Sequence, residues 1–583
     1  MPNLRWLIPD VNAKAAQDLV AALRIQPLTA RVLVNRGLPD PDLAQRFLSP
    51  SIEHLHEPHR LTGIPQAVER IRRAISSGEK ILIYGDYDVD GTVSVVILKK
   101  AIELAGGQAS FHVPHRLKDG YGMRSEVIER AAAMGVKLII SVDTGIRAGE
   151  VVRGAHELGI DVIITDHHLP EAELPPALAV LNPNRHDCTY PDKNLCGAGV
   201  AFKLVHAILA TLDWPADKLA RMLKSFLKLV AVATVADVVP LLGENRIIVK
   251  YGLQGLDRVH NPGLRALLEV SGMTRGQPPN ARQVAFQIAP RINAAGRMDD
   301  ADKVIRMFLT DDLECARKLA SELHSLNQER QETEADIVRL ALEECSKVPV
   351  TDDQAALVFT GPNWHRGVVG IVASRLVERF YRPVFVLSEE NGEAQGSGRS
   401  IPAFHLLEAL ESMPDLFSRF GGHRQAAGVS LAADRIEEFR QRLNRWAADK
   451  LTATDLQPQL AIDALVDLKE LTTGPAVEEM LSMAPFGFGN PSPVLAILDA
   501  EVAAPPVLVK EKHLRVHLRQ KGRNLLSTAW NFAERAGELP AGTRADAAFT
   551  LEEDPYSQSR GWGGWSAVLK DVRAAATQST AAN

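Results

Sequence analysis

Short apolar runs alternate with helical stretches along much of this chain, and that alternation limits the possible folds more than any other feature. ILIYG (81–85) predicts a buried strand, and LIISVDTG (138–145), DVIITDHH (161–168) and LAVLNP (178–183) predict three more, with helical sequence between them. Parallel strands need helical crossovers of this kind to connect them. The sequence therefore predicts an α/β fold built on a parallel, doubly wound sheet.

Acidic residues directly follow the first of these strands. In DYDVDG, Asp86, Asp88 and Asp90 alternate, so in an extended loop their carboxylates converge on one spot, where a divalent cation would stabilise them. An EF-hand loop is one alternative, but its twelfth position is Ile97 instead of glutamate. A solvated acidic turn is the other alternative that this motif leaves open.

The other strand ends favour the metal interpretation. Asp143 ends one predicted strand, Asp166, His167 and His168 end another, and ligands of parallel sheets bind at these carboxyl ends. Asp237 follows the apolar run LVAVATVA, where a carboxylate needs a strong partner. Carboxylates mixed with imidazole suit Mn²⁺ or Mg²⁺, and a pair of such ions serves phosphoryl displacement. The residues alone thus predict a two-metal phosphoesterase.

The composition is that of an ordinary globular protein, with 46% apolar residues, 24% charged residues and a net charge of −6. Nucleic-acid binding must therefore come from local basic patches. No stretch reaches about 18 uncharged apolar residues, and the start MPNLRWLIPD has no apolar signal core, so we expect neither a membrane protein nor an exported one. Four cysteines without CxxC spacing indicate a reduced, cytoplasmic protein.

Basic residues and glycines predict where a nucleic acid binds. Arg116 follows a predicted strand, and RINAAGR supplies Arg291, Asn293 and Arg297 beside small residues that allow close backbone approach. SGRS supplies Arg399 and Ser400, and GGH supplies Gly422 and His423. The alternatives are a solvated loop for Arg116 and an ordinary turn for the paired glycines.

The sharpest basic signal lies near the C-terminus. In KEKHLRVHLRQKGR (510–523), the residues His513, Arg515, His517 and Arg519 alternate with apolar residues, so one strand face is basic. We expect Arg515 and Arg519 to follow a phosphate backbone, with Trp530, Phe532 or Tyr556 as stacking platforms. A charged edge strand that only prevents aggregation is the alternative.

Eight motifs in order resemble those of the DHH phosphoesterase superfamily, and within it the bacterial single-strand-specific 5′-to-3′ DNA exonucleases. The resemblance covers nearly the whole chain. The motifs are DYDVDG (86–91), SVDTG (141–145), DHH (166–168), ATVADVVPL (233–241), RINAAGR (291–297), NWHRGVVGIVASR (363–375), SGRS (397–400) and GGHRQAAG (421–428).

This resemblance implies a role for each matching residue. Asp88 and Asp90 are expected to bind separate metals, Asp143 to bridge them, and His167 with Asp237 to complete the second site. His168 is expected to hold the scissile phosphate or to help activate water, while Asp86 is a possible further ligand. Asp166 is expected to orient an imidazole, with direct coordination left open. The implied catalytic set is Asp88, Asp90, Asp143, His167, His168 and Asp237.

The resemblance also implies a domain plan and a function. We expect a single-stranded-DNA-specific 5′-to-3′ exonuclease that releases 5′-mononucleotides, uses two Mn²⁺ or Mg²⁺ ions, and works in recombination and repair beside a helicase and a single-strand-binding protein. A DHH phosphodiesterase for short oligoribonucleotides or cyclic dinucleotides, and a non-catalytic nucleic-acid clamp, are the alternatives. The expected segments are a lead-in (1–60), a DHH metal domain (61–310), a connecting helix (311–347), a smaller DHH-associated α/β domain that binds substrate (348–450), an OB-like β-barrel (451–575) and a flexible tail (576–583). The residues themselves predict the connecting helix, because 311–346 contains no Pro or Gly and is rich in Leu, Ala, Glu and Arg.

Overall fold

A computed structural model describes residues 4–116, 118–120, 122–274, 276–347, 350–351, 353–472, 475–554 and 564–575. The chain forms two compact units. One comprises residues 52–457, and the other combines the described parts of the first 51 residues with those from residue 458 onward. Tyr556 and the predicted tail 576–583 lie outside the described residues. Among the described helices, none combines the length and the apolar character needed to cross a bilayer.

The N-terminal residues form one short strand and three helices. The side chains of Asn12 and Asp40 cap α1 and α3, and proline occupies the first position of α2 and α3. The elements are β1 (Arg5–Leu7), α1 (Ala13–Leu23), α2 (Pro27–Asn35) and α3 (Pro41–Leu48).

A five-stranded parallel sheet follows, with the strand order β3-β2-β4-β5-β6. Its elements are α4 (Ile64–Ser76), β2 (Lys80–Tyr84), α5 (Val89–Leu104), β3 (Ala109–His112), α6 (Ser125–Ala133), β4 (Val136–Val142), α7 (Gly149–Glu157), β5 (Asp161–Thr165) and β6 (Ala179–Leu181). Ile81 and Ile83 enter one hydrophobic core, whereas Leu82 and Tyr84 enter another. Cores on both faces confirm the predicted doubly wound sheet.

Further helices pack around this sheet and complete the first lobe of the larger unit. They also connect it to the second lobe of the same unit. They are α8 (Gly197–Leu209), α9 (Ala216–Ala236), α10 (Gly243–Gln254), α11 (Pro262–Val270), α12 (Ala281–Gln283), α13 (Ala289–Met298), α14 (Asp302–Leu309) and α15 (Leu313–Lys347), with a π-helical turn at Val284–Ile288. The 35-residue α15 is the long helix that the sequence predicts, and it packs against both α13 and the helix α16 (Val369–Phe380) of the second lobe.

The second lobe is a smaller α/β domain with a mixed five-stranded sheet in the order β10-β11-β9-β8-β7. The β7–β8 pair is parallel, and the other described pairs are antiparallel. Its elements besides α16 are β7 (Leu357–Pro362), β8 (Val384–Glu390), β9 (Glu393–Arg399), α17 (Leu406–Glu411), β10 (Arg419–Gly422), β11 (Ala426–Ala432) and α18 (Ile436–Lys450).

The C-terminal residues form a closed barrel, which confirms the predicted OB-like domain. The elements are β12 (Gln459–Ala461), β13 (Ala464–Leu465), α19 (Leu468–Thr472), α20 (Ala476–Ser482), β14 (Val494–Val502), β15 (Val507–Val509), β16 (His513–Gln520), β17 (Arg523–Ala529), β18 (Arg544–Glu553) and β19 (Trp565–Ala574). Strands β14, β18, β19, β17 and β16 pair in sequence, and a further pairing of β14 with β16 closes the ring. Five strands closed in this way are typical of OB folds.

The N-terminal segment is part of the core of this second unit. Strand β1 pairs in parallel with β12, and Trp6 donates its indole N–H to Asp571 Oδ2 at 2.7 Å. Arg36 forms an ion pair with Asp463 at 2.7 Å, and Leu19 is fully buried in the barrel's hydrophobic cluster. The sequence did not predict this packing, and the expected division into six segments stays a prediction.

Replacing Trp6 with alanine should destabilise the second unit. The indole is buried, bonded to Asp571 and covered by the Arg573 guanidinium 4.1 Å from its ring, so its loss should lower the free energy of unfolding by about 3–5 kcal/mol. Urea denaturation gives the size, and hydrogen exchange should rise in β12 and β19. Leu43→Ala, at an exposed position of α3, should change stability by less than about 0.5 kcal/mol. Equal stability of both variants would contradict the packing.

Candidate metal centre and nucleotide site

The strand order places the acidic motifs at the switch point of the sheet. Strand β3 lies on one side of β2, and β4, the next strand along the chain, lies on the other side. Because the connections reverse direction here, a crevice opens at the carboxyl ends of β2 and β4. Asp86 and Asp88 follow β2, and Asp143 follows β4. His167 follows the neighbouring strand β5. The topology therefore brings these distant motifs into one crevice.

Two groups of potential metal ligands share one carboxylate. His167 Nε2 lies 3.3 Å from Asp143 Oδ1, 3.7 Å from Asp237 Oδ2 and 3.9 Å from Asp90 Oδ2. In the other group, Asp86, Asp88 and Asp143 offer oxygen atoms that all lie within 4.8 Å of one another. Asp143 belongs to both groups, which is the geometry of a bridging ligand between two ions. Asp143 and His167 also form a third group of potential ligands with His168.

The N-terminus of α8 holds Asp90 in this arrangement. The backbone N–H of Gly197 donates to Asp90 Oδ2 at 2.5 Å, and that of Ala198 donates to Oδ1 at 2.8 Å. A Cβ at residue 197 would lie 2.6 Å from Asp143 Oδ1, so only glycine allows this approach. The sequence analysis missed Gly197, and the glycine-rich start of α8, GAG, was the available signal.

Asp143 adopts an unusual backbone conformation, with φ of 58°. Non-glycine residues rarely occupy this left-handed region, and the conformation costs on the order of 1–3 kcal/mol. Its backbone N–H donates to the Thr165 carbonyl at 2.9 Å, which ties the turn after β4 to the end of β5. Surrounding contacts thus hold a strained residue where the two ligand groups meet.

The electrostatics of the crevice fit a pair of divalent cations. Burial, with repulsion from neighbouring carboxylates, raises the pKa of Asp86 and Asp143 well above its ordinary value and that of Asp237 to about 9. Burial lowers the pKa of His167, which favours the neutral form that binds metals. Asp86 Oδ1, His167 Nε2 and Asp237 Oδ2 are buried and accept or donate no hydrogen bond among the described residues. Oxygen and imidazole ligands suit Mn²⁺ or Mg²⁺.

His168 is held beside the ligand groups by Asp166. Its Nδ1 lies 2.7 Å from Asp166 Oδ1, and Asp166 also accepts hydrogen bonds from the backbone N–H groups of Ile146 and His167. Burial opposes the charged imidazole, but the contact with Asp166 outweighs it and raises the pKa of His168. The oxygens of Asp166 are thus occupied by hydrogen bonds, as expected for a residue that orients His168.

Three arginines meet near the metal crevice. Burial, together with repulsion from Arg116 and Arg399, lowers the pKa of Arg297 to about 9. Burial and the neighbouring Arg116 likewise lower the pKa of Arg399. Arg116 lies over the ring of Tyr87, 5.0 Å from its centre. Arg297 and Arg399 donate to the backbone carbonyls of Gly367 and Gly398, and neither forms an ion pair with a described carboxylate. Forked donors assembled without a carboxylate form a favourable site for phosphate.

Other predicted substrate residues take supporting positions. Asn293 Oδ1 accepts a hydrogen bond from the Val89 N–H at 3.2 Å and so holds the DYDVDG loop. Arg291 turns to α15, where its Nε lies 3.1 Å from His324 Nδ1, away from the three arginines. Ser400 Oγ donates to the Phe404 carbonyl at 3.0 Å.

The glycine pair of the second lobe, Gly421 and Gly422, positions His423 opposite the first lobe. Gly422 has φ of 147°, and a Cβ there would lie 2.4 Å from the Ala426 carbonyl oxygen. Burial and the nearby positive charges of Arg147 and His168 lower the pKa of His423. The structure therefore brings His423 of the second lobe close to His168 of the first.

Strand β16 has the alternation that the sequence predicts. Leu514, Val516 and Leu518 are buried, and Arg515 and Arg519 are exposed on the opposite face. Arg519 is not a free cation, however, because its guanidinium forms an ion pair with Glu501 on the neighbouring strand β14.

The aromatic residues near this strand differ in exposure. Trp530 is 49% exposed, and its ring lies 4.7 Å from that of His513. Phe532 is only 4% exposed and packs in the barrel core, so its prediction as a stacking platform was wrong. Burial of the Phe532 ring serves hydrophobic packing there.

Comparisons with known proteins agree with the fold. Three family models match the chain: the DHH family N-terminal domain over residues 80–234, the DHHA1 domain over 353–449 and the RecJ OB domain over 462–562. The single-stranded-DNA-specific exonuclease RecJ of Bacillus subtilis is 39% identical over 93% of this chain and 68% of its own length. The protein of the same name from Escherichia coli is 38% identical over 87% of this chain and 88% of its own.

Solved structures give the same result. The crystal structure of RecJ in complex with Mn²⁺ from Thermus thermophilus matches 98% of this chain and 79% of that one, with a TM-score of 0.81 and 31% identity. A second structure, of exonuclease RecJ bound to manganese, matches 68% of this chain and 98% of that one, with a TM-score of 0.59 and 37% identity. The resemblance seen in the motifs is thereby confirmed, and the chain belongs to the RecJ family of DHH-superfamily exonucleases.

Proposed function

We propose that this protein is a metal-dependent exonuclease that degrades single-stranded DNA from the 5′ end and releases 5′-mononucleotides. The observation that carries the proposal is the position of Asp143, which belongs to two adjacent ligand groups. Arg116, Arg297 and Arg399, which form no ion pair with a carboxylate in the part of the chain that the structure describes, lie beside these groups, where the phosphates of a strand can bind. The relatives' names, single-stranded-DNA-specific exonuclease, support the substrate.

The residues of the crevice form two metal sites. His167, Asp90, Asp143 and Asp237 would hold one Mn²⁺ or Mg²⁺ ion, and Asp86, Asp88 and Asp143 the other. Such ions, when bound, activate water and neutralise the charge that develops on the phosphate.

His168 and the arginines act on the substrate itself. The contact with Asp166 keeps the His168 imidazole oriented and favours its protonated form, which donates a hydrogen bond to a non-bridging phosphate oxygen. Arg116, Arg297 and Arg399 bind phosphate and fix the end of the strand over the metal ligands. The 5′ polarity of the proposal comes from the family resemblance.

The barrel provides a second surface for the strand. Arg515 lies on its exposed face, and the half-exposed ring of Trp530 offers a platform on which a base can stack. A DHH phosphodiesterase for dinucleotides has no need of such a surface, which favours the exonuclease over that alternative. The ligand set brought together in the crevice likewise favours an enzyme over a silent clamp.

The proposal includes the cellular setting. A DNA exonuclease of this family would act in recombination and repair in the cytoplasm, where a helicase supplies single strands and a single-strand-binding protein covers them. The four cysteines are all free thiols, which is compatible with a reducing compartment.

Asp143→Ala should abolish cleavage of single-stranded DNA because the shared carboxylate serves both ligand groups. The assay is release of mononucleotides from 5′-labelled and 3′-labelled strands with Mn²⁺, Mg²⁺ or EDTA. Duplex DNA and a dinucleotide serve as competing substrates. Wild-type protein should cleave only the single strand, and only with metal.

The two histidines provide an internal comparison for this experiment. His168→Ala should retain more bound Mn²⁺ than His167→Ala, because His167 Nε2 faces three carboxylates whereas His168 is bonded to Asp166. A folded Asp143→Ala protein with normal turnover would refute the two-metal assignment, and preferred cleavage of the dinucleotide would favour the phosphodiesterase.

The metal-free protein should lose stability as pH rises from 6 to 9. The pKa of Asp237 is about 9 in the folded protein and 3.8 in the unfolded chain. Its contribution to the free energy of unfolding is therefore complete below pH 3.8 and is lost as the pH rises through 9. This loss should approach about 1 kcal/mol per pH unit. Thermal unfolding in EDTA measures it, and Asp237→Asn, which cannot ionise, should show a shallower decline. Added Mn²⁺ should reverse the loss in wild type, whereas identical pH profiles in EDTA would disprove the assignment.

Arg515→Ala should reduce the salt dependence of binding to long single strands. Each lost phosphate contact lowers the slope of log K against log salt by about 0.7 for single strands. Arg519→Ala should have a smaller effect because Glu501 already pairs with Arg519, and Glu501→Gln should make the slope steeper. The measurement is a salt titration of affinity, with Arg46→Ala, exposed on α3, as the control. An unchanged slope in Arg515→Ala would leave β16 as a charged strand with no contact to DNA.

A further inference from the structure

A cavity of about 510 Å³, open to solvent, is lined by residues of α13, α15 and α16, among them Arg297 of the arginine cluster. Its volume is in the range of small-molecule sites. Arg297 is part of its wall, so the cavity adjoins the phosphate-binding arginines directly. At another part of its wall is Phe286, an aromatic residue on the π-helical turn before α13 that is 69% exposed. We call this cavity the lateral chamber.

The walls of the lateral chamber are basic. Arg330 and Glu334, both less than 10% exposed, form an ion pair on α15, and Asn327 accepts a second hydrogen bond from Arg330 at 2.8 Å. Arg375 of α16 donates its Nε–H to Glu334 at 3.0 Å. The described lining carries one carboxylate against three guanidinium groups, those of Arg297, Arg330 and Arg375. Glu378, outside the lining, also pairs with Arg375 at 3.4 Å. Positive charge still remains in excess. An anion is the matching ligand.

A continuous stripe along α13 and the turn before it connects the chamber to the metal crevice. Phe286, Pro290, Asn293 and Arg297 follow helical spacing and all line the cavity. Asn293 also touches the loop that carries the metal ligands, through the Val89 N–H. π-Helical turns often occur at functional sites, and this one places the exposed ring of Phe286 at the far end of the stripe.

We propose that the lateral chamber is a second nucleotide site, which binds the nucleoside 5′-monophosphate released at the metal crevice. The inference rests on the proposed exonuclease function. The guanidinium groups bind the phosphate, and Phe286 stacks on the base. Helix α13 lines the chamber and also contacts the loop of the candidate metal ligands, so a mononucleotide that leaves along α13 reaches the chamber while the next phosphate enters the crevice.

Binding of 5′-dAMP to the full-length protein tests this proposal. Calorimetry in EDTA should give two molecules per wild-type chain, one at the arginine cluster and one in the chamber. Ala335, an exposed residue of α15, lines the cavity, so Ala335→Trp should fill it and leave one molecule per chain. Leu340→Trp, exposed on the same helix outside the cavity, is the matched control and should keep both. Phe286→Ala should weaken the second site about tenfold.

Kinetics with Mn²⁺ distinguishes this proposal from the function on which it rests. Single-turnover cleavage by Ala335→Trp should stay within about twofold of wild type, whereas steady-state turnover should fall severalfold because product leaves more slowly. The second site would be refuted, and the exonuclease function would stand, if wild-type protein cleaves DNA but binds only one 5′-dAMP per chain and Ala335→Trp does not change that number. A second site lost in Ala335→Trp, in a protein that does not cleave DNA, would support the nucleotide site and refute the exonuclease.

Discussion

Crowding of buried carboxylates at one end of the parallel sheet is the constraint on which the first unit depends. Burial and mutual repulsion raise the pKa of Asp86, Asp143 and Asp237, so these groups need positive charge nearby. The fold supplies part of it from two helix N-termini. The first amides of α8 bind Asp90, and Asp88 caps α5 by accepting the Gly91 N–H. Helix dipoles thus offset some of the repulsion, and divalent cations would offset the rest.

Helix α13 couples this centre to the arginines that we propose bind phosphate. Asn293 holds the metal-binding loop, and one helical turn later Arg297 reaches the arginine cluster. Between them Gly296 lets the helix approach the Tyr87 carbonyl, since a Cβ there would lie only 2.5 Å from that oxygen. One helix therefore sets the spacing between the candidate metal ligands and the guanidinium groups, and the proposed in-line displacement requires such a fixed spacing.

The sequence alone determined the parts of this protein that follow from local patterns. Alternating apolar runs predicted the parallel sheet, a stretch without Pro or Gly predicted α15, and acidic motifs after strands predicted that Asp88, Asp143 and His167 converge. These inferences succeed because strand ends of a parallel sheet meet at one edge whatever the rest of the chain does.

Only the tertiary structure decided which side chains face each other. Trp6 is hydrogen-bonded to Asp571 although 565 residues separate them, and the amphipathic pattern of the N-terminal helices shows only that some partner must cover them. Arg519 pairs with Glu501 on another strand, and Gly197 matters because α8 packs its first turn against a carboxylate from a distant strand end. Such pairings depend on strand register and helix packing between segments far apart in the chain, and local patterns of hydrophobicity and charge do not record them.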